Sequence, residues 1–390
     1  MAVGRQSDVE RQLPEMGISA GQLTTLDAGG GLVTPGLIDP HTHLLFAGTR
    51  HAELQLRRRG HGYLEILAAG GGILQTVRQT RAAADEELLA GGRRWLAEML
   101  RHGVTTVEVK SGYGLSVEHE LRLLRLAGQL AAEGPLEIVP TFLGAHAVPP
   151  EFGERPDGAQ AYLDNVITEQ LPAVAEQGIA TACDVFCEEG VFDAAGSGRV
   201  LQAAQRLGLP VRLHADELHP SGGAELAAAL GARSADHLAA VSVAGIEELG
   251  RAADEGRAVV ATLLPATTLY LLSEHYAPAR ALIERGVPVA LGSDFNPGTS
   301  PTSNLLLVMS LACLKLGLTP AEALAAMTIN AAAALGLEQT NGSLEVGKHA
   351  DLVVWGVQSH ELLPYWLGAD LVRAVVKHGR LLYLRDAQPV

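Results

Sequence analysis

Short apolar runs alternate with longer helical patterns along most of the chain. Residues 104–109, Val-Thr-Thr-Val-Glu-Val, are β-branched and follow Gly103, the pattern of a strand. The stretch before them, 85–102, sets Leu88, Trp95, Leu96, Met99 and Leu100 on one helical face, and Gly103 stops it. After them, Ser116 is suited to cap a helix, with Glu118 and Glu120 in its first turn and Leu121, Leu124 and Leu130 turned inward. The same rhythm predicts strands at 36–40, 104–109, 136–142, 182–186, 210–213, 233–236, 258–263 and 288–291. Eight such βα units over about 300 residues predict an α/β fold, a closed (β/α)8 TIM-like barrel; an open doubly wound sheet is the alternative.

The ends break this rhythm. Residues 26–33 precede the first barrel strand. Residues 342–355 read as a turn and then a strand, and 372–376 and 380–384 as two more strands around His378-Gly379. A small β-sandwich domain built from both termini is therefore expected, from 1–35 and 342–390, with the barrel at 36–341. Residues 1–28 hold little strand signal, so the N-terminal part of the small domain is expected to be incomplete.

Composition narrows the function classes. The chain has 390 residues, 47% of them apolar, enough to bury a large core without disulfide or metal staples. Lysine and arginine number 29 against 44 acidic residues, a formal charge of −15, which argues against a broad nucleic-acid or anionic-membrane surface. The three cysteines, Cys183, Cys187 and Cys313, form no CxxC pair and suit a reducing compartment. The charged N-terminal residues Arg5, Asp8, Glu10 and Arg11 lack an apolar segment behind them, so a cytoplasmic protein is expected.

The fourteen histidines carry more information. Asp39-Pro-His41-Thr-His43 directly follows the first strand, and residues two apart in extended chain point the same way, so His41 and His43 can grip one ion. His214-Ala-Asp-Glu217 ends the fifth strand, Ser234-Ala-Asp-His237 the sixth, and Ser293-Asp294 the eighth. Taken singly, His237 reads as a loop histidine and Asp294 as a helix cap. All four at the C-terminal ends of barrel strands, where barrel sites are built, describe an open catalytic metal site. Glu217 is suited to moving protons beside the metal.

These residues resemble the amidohydrolase superfamily, which has this set of ligands on the same strands. Segments 34–44, 108–115, 141–150, 214–217, 234–237 and 296–301 are similar to its ring-opening members, which convert 4-imidazolone-5-propanoate to N-formimidoyl-L-glutamate in histidine degradation. Glu-Val-Lys-Ser-Gly-Tyr-Gly and Phe-Leu-Gly-Ala-His-Ala are the most specific of them. The resemblance implies one zinc or iron ion per chain on His41, His43, His214 and Asp294. It implies a substrate site of Arg50, Tyr113, His146, Glu217, His237, Asn296, Gly298 and Thr299, with Glu217, His237 and Asp294 catalytic. Metal-bound hydroxide would attack the ring carbonyl, His237 would polarise its oxygen, and Glu217 would protonate the leaving nitrogen. Arg50, otherwise read as a surface charge, would fork onto the propionate.

Two-metal members carry a bridging lysine on strand four. Here Lys110 follows strand two, so one metal is expected, with Cys187 and Glu188 keeping a second ion open. The partner is a small molecule, with no nucleic acid and no membrane, and a homodimer is expected. A deaminase of cyclic amidines and a non-catalytic metal- or ligand-binding barrel are the rival readings. Arg50 and Tyr113 speak against the first, and the complete ligand set against the second.

Overall fold

Alternation of β-branched runs with amphipathic helices closes this chain into a parallel barrel. The computed structural model describes residues 3–385 apart from 16, 20, 22, 63, 64, 67, 68 and 154. Strand β1 (Val33–Pro35) belongs to a small second sheet. The barrel staves are β2 (Leu37–Asp39), β3 (Val104–Lys110), β4 (Glu137–Ala145), β5 (Ala182–Cys187), β6 (Arg212–Ala215), β7 (Ser234–His237), β8 (Val260–Leu263) and β9 (Val289–Leu291). Each expected strand is present, its ends displaced by a few residues. The staves pair in chain order, all parallel, without the reversal that an open doubly wound sheet requires.

The join between β2 and β9 is different. No ladder links these two short strands. Above them Thr42 bridges Phe295, His43 N donates to Phe295 O (2.9 Å) and Asp294 N to His41 O (3.0 Å). At the other end, Ile38 N donates to Met327 O (2.9 Å), and Asn330, on the helix Ile329–Leu335, donates to Val289 O (2.8 Å).

The helices behave as their sequences predict. The helix Asp85–Arg101 buries Leu88, Leu96, Met99 and Leu100. Ser116 caps Val117–Glu133 by accepting from His119 N, and Leu124 and Leu130 face the core. Glu120, expected to serve the helix dipole, is instead fully buried and accepts from Gly112 N, Gly114 N and Leu115 N at 2.7–3.2 Å. It thereby fixes the loop that carries Tyr113.

Both ends of the chain meet in one antiparallel sheet, ordered β1, β10 (Leu352–Trp355), β11 (Val372–Lys377), β12 (Arg380–Leu384). Residues 386–390, assigned above to the small domain, lie outside the described residues. Val353 and Trp355 of this sheet press on Gly103, where a Cβ would stand 3.2 Å from Val353. Lys377 clasps the sheet to the barrel, its Nζ 2.7 Å from Glu137 and 2.6 Å from Asp351. Ahead of β1, the helix Gln6–Gln12 buries no residue. Among the described residues, no helix is long and apolar enough to cross a membrane.

Candidate active site

A barrel interior is usually filled by branched apolar side chains. This one is not. Residues two apart share a face of a strand, and the charged members of β3, β5, β6 and β7 (Glu108, Lys110, Asp184, Arg212 and Asp236) are all at most 2% exposed. Arg212 pairs with Glu108 and donates to Thr141 Oγ1 at 2.7 Å. Lys110 Nζ lies 2.7 Å from Glu108, 2.7 Å from Asp184 and 3.7 Å from Asp236.

Five histidines converge on this polar floor. His41, on the loop after β2, has Nδ1 2.6 Å from Asp236 Oδ2. His214, at the end of β6, has Nδ1 2.9 Å from Asp184 Oδ2. The opposite nitrogen, Nε2, of each is buried without a hydrogen-bond partner. His43 Nε2 and His41 Nε2 stand 3.4 and 3.6 Å from Asp294 Oδ1. Donor atoms of His41, His43 and Asp294 lie within 4.8 Å of one another, as do those of His41, His214 and His237. Burial holds His41, His43 and His146 well below the usual histidine pKa, so they are neutral donors. Asp294 adopts φ +51° and His237 +74°, conformations that non-glycine residues hold at a cost of about 1–3 kcal/mol and that concentrate at functional sites. Thr267 Oγ1 fixes the second Asp294 oxygen at 2.6 Å.

A small cleft, half open to solvent, lies over these groups. It is lined by His43, His214, Glu217, His237 and Asp294 together with Arg50, Tyr113, His146, Asn296 and Thr299. Glu217 Oε2 is 3.6 Å from His237 Nε2. Burial, and then the Asp294 and Glu188 charges, push the Glu217 carboxyl well above its ordinary pKa. Burial takes His237 down to about 3, with Asp294 opposing. His146 stacks on His43 with ring centroids 4.9 Å apart, its Nδ1 2.9 Å from Gly112 O.

Two of the expected residues stand off the cavity wall. His41 lies behind it. Gly298 packs on Arg50, whose guanidinium occupies the space a Cβ would need, and its carbonyl accepts from Arg57 at 2.9 Å. Asn296 organises its own loop, accepting from Gly298 N (2.8 Å) and Thr299 N (2.7 Å).

Sequence reasoning missed several groups. Glu53 takes Arg50 bidentately at 2.9 and 2.8 Å and Arg57 at 3.0 Å. The i, i+4 spacing of Glu53 and Arg57 on the short helix Glu53–Arg58, with Arg50 three residues before it, was the available signal. Ile73 and Phe186 complete the cavity wall and carry no chemical signature. Glu188, considered above as a bridging ligand, accepts instead from the backbone N–H groups of Glu217, Leu218 and His219 at 3.0–3.1 Å. It holds the loop that presents Glu217.

A parallel barrel with histidines on its first, fifth and sixth staves and an aspartate after its eighth is the plan of a metal-dependent amidohydrolase. The model of the amidohydrolase family matches residues 32–382. The imidazolonepropionase of Alkaliphilus metalliredigens is 49% identical over 371 residues, 95% of this chain and 86% of that one. That of Geobacillus kaustophilus is 50% identical over 382 residues, 98% of this chain and 87% of the relative. The chain belongs to the amidohydrolase family and, within it, to the imidazolonepropionases. The fold extends further: Klebsiella pneumoniae 5-methylcytosine deaminase superposes with a TM-score of 0.74 at 17% identity, covering 96% of this chain and 92% of the deaminase.

Proposed function

We propose that this enzyme hydrolyses the ring amide of 4-imidazolone-5-propanoate to N-formimidoyl-L-glutamate, a step of histidine degradation. The observation that carries the reading is convergence. One cavity brings together His43, His214 and Asp294 of the donor set, Glu217, and Arg50 from the loop leaving the first stave, with His41 behind its wall. A basic group in that place suits a substrate that carries a carboxylate.

The donors fit a metal ion. Among the described residues, the buried Nε2 atoms of His41 and His214 have no hydrogen-bond partner, while Asp236 is hydrogen-bonded to His41 Nδ1 and an Asp184 oxygen stands 2.9 Å from His214 Nδ1. A carboxylate on Nδ1–H leaves the Nε2 lone pair for a metal. His41, His43, His214 and Asp294 would hold one zinc or iron ion, borderline metals that accept imidazole and carboxylate together. Such an ion supplies Lewis acidity, acidifying water and drawing electrons from a carbonyl.

The chain's own groups perform the rest. Arg50 and Tyr113, both on the cavity wall, orient the substrate by its propionate. Asp294 accepts a proton from the attacking water. The neutral His237 donates a hydrogen bond to the carbonyl oxygen as charge develops there. Glu217, whose burial favours the protonated form, donates to the ring nitrogen as the C–N bond breaks. The water oxygen ends in the new carboxylate, and the ring nitrogen leaves as part of the formimidoyl group.

The test is direct. Metal-loaded protein should abolish the absorbance of the imidazolone and release no ammonia from cyclic amidines. Ammonia release with no loss of imidazolone would overturn the assignment. The expected homodimer is checked by light scattering.

A further inference from the structure

We propose that Lys110 is a positioning residue of the metal centre, tying together the two carboxylates that aim His41 and His214. The inference rests on the metal-site reading above. Its basis is a coincidence of atoms. The oxygen of Asp184 that Lys110 Nζ meets at 2.7 Å is Oδ2, the same atom that lies 2.9 Å from His214 Nδ1. The oxygen of Asp236 that faces Lys110 at 3.7 Å is also Oδ2, the atom 2.6 Å from His41 Nδ1. One ammonium group therefore contacts one and faces the other of the two carboxylate oxygens nearest the Nδ1 atoms of His214 and His41. The other Asp184 oxygen is held by Val185 N at 2.7 Å and His214 N at 3.2 Å, so this carboxylate is fixed at both ends.

All of these side chains are 0–3% exposed. Burial keeps the contacts from bulk solvent, and each is stronger than it would be at a surface. The charges explain why a cation is needed. Glu108, Asp184 and Asp236 bring three negative charges into one buried layer, and Arg212 is engaged with Glu108. Without Lys110, Asp184 and Asp236 would face each other with nothing between them, and like charges in a buried site drive each other apart. The two imidazoles would then lose the common support that converges their Nε2 atoms. Lys110 Nζ, spent on three carboxylates, is not a ligand. Groups that orient ligands typically change metal affinity by about 10–100-fold when removed.

The experiment measures zinc affinity of the whole enzyme by competition with a chromophoric chelator, for the parent, Lys110→Met and Lys110→Gln. Thermal midpoints of the metal-free proteins are recorded alongside. The expected result is a zinc Kd raised about 10–100-fold in either folded variant. In an Asp184→Asn, Asp236→Asn background, Lys110→Met should add little further, because the struts it ties are already gone. An unchanged Kd in a folded Lys110 variant overturns the proposal. So does an effect fully additive with loss of the aspartates. If neither variant folds, Lys110 serves the barrel itself and the proposal also fails. Absence of zinc binding in the parent protein would overturn the metal-site reading; normal binding in parent and variants alike would overturn only the role of Lys110.

Discussion

Replacing Arg50 with alanine tests how the enzyme selects its substrate. Arg50 lines the cavity and is 5% exposed, with Nε and Nη2 on the two oxygens of Glu53. Arg57 shares that carboxylate. Both guanidiniums share the one carboxylate of Glu53, which fixes the orientation of Arg50. Removing Arg50 leaves Glu53 still bound to Arg57 and to Gly72 N at 2.8 Å. The loss of stability should therefore stay below the about 3–5 kcal/mol expected when a buried charge loses its only partner. The substrate loses a charge-assisted hydrogen-bonded pair of about 1.5–3 kcal/mol, or about 10- to 150-fold in kcat/KM. Arg50→Lys should recover only part, because a point charge cannot both fork onto Glu53 and reach the ligand. The assay compares the propionate-bearing imidazolone with one lacking the propionate, at equal metal content. The second compound should be poor with the parent and barely affected by Arg50→Ala. Equal damage to both would refute the reasoning, and would assign Arg50 to the Gly298 loop it packs against.

Other expectations follow from the same geometry. Glu217→Gln should keep its metal yet lose about 10²–10⁴-fold in turnover; near-normal turnover would place the proton elsewhere. Glu188→Ala should lower kcat with metal content unchanged, since it frees the N–H groups that set Glu217, and a variant as fast as the parent would show that the loop holds itself. Elemental analysis should find about one zinc or iron per chain, and full activity with less than about a tenth of an equivalent would sink the mononuclear reading. Glu137 is partly buried, and its hydrogen bond and ion pair with Lys377 overcome that burial to hold its pKa below the ordinary 4.5. A lowered folded-state pKa gives stability that is present above about pH 4.5 and is lost as pH falls through the folded value. Glu137→Gln should therefore flatten the loss of Tm on acidification below about pH 4.5; parallel curves for the two proteins would disprove the clasp's contribution.

The sequence showed the staves and most of the site, and the reasons are physical. β-branched runs ending in glycine or in a histidine report local structure, and the ligands sit where chain direction alone brings them to one rim. The pairings were hidden. Glu108, Lys110, Asp184, Arg212 and Asp236 stand on four separate strands, and nothing local says that those strands' charges face one another. Glu120 and Glu188 were visible as carboxylates but not as acceptors for distant backbone, since a buried acid caught by N–H groups looks like any other acid in sequence. Arg50 was found, but its partner was not. The small domain was foreseen from both ends of the chain, and its described strands form one four-stranded sheet.

The unladdered join between the first and last staves has a consequence for how the protein fails. His41 and His43 lie on one side of it and Asp294 on the other, 254 residues on from the end of β2 at the Asp39–Ser293 contact. An ion gripped by all three would act as a buckle, fastening the one overlap of the belt that has a single bridge where the other seven have ladders. Stripping the metal should loosen that one overlap first, so backbone amides of β2 and β9 should exchange with solvent before those of β5 or β6. Binding to the folded state alone stabilises it by about 4 kcal/mol at a thousandfold excess over Kd. Metal scarcity would then act on the lifetime of the protein as well as on its turnover, and a pool of enzyme starved of metal would shrink by unfolding rather than wait idle.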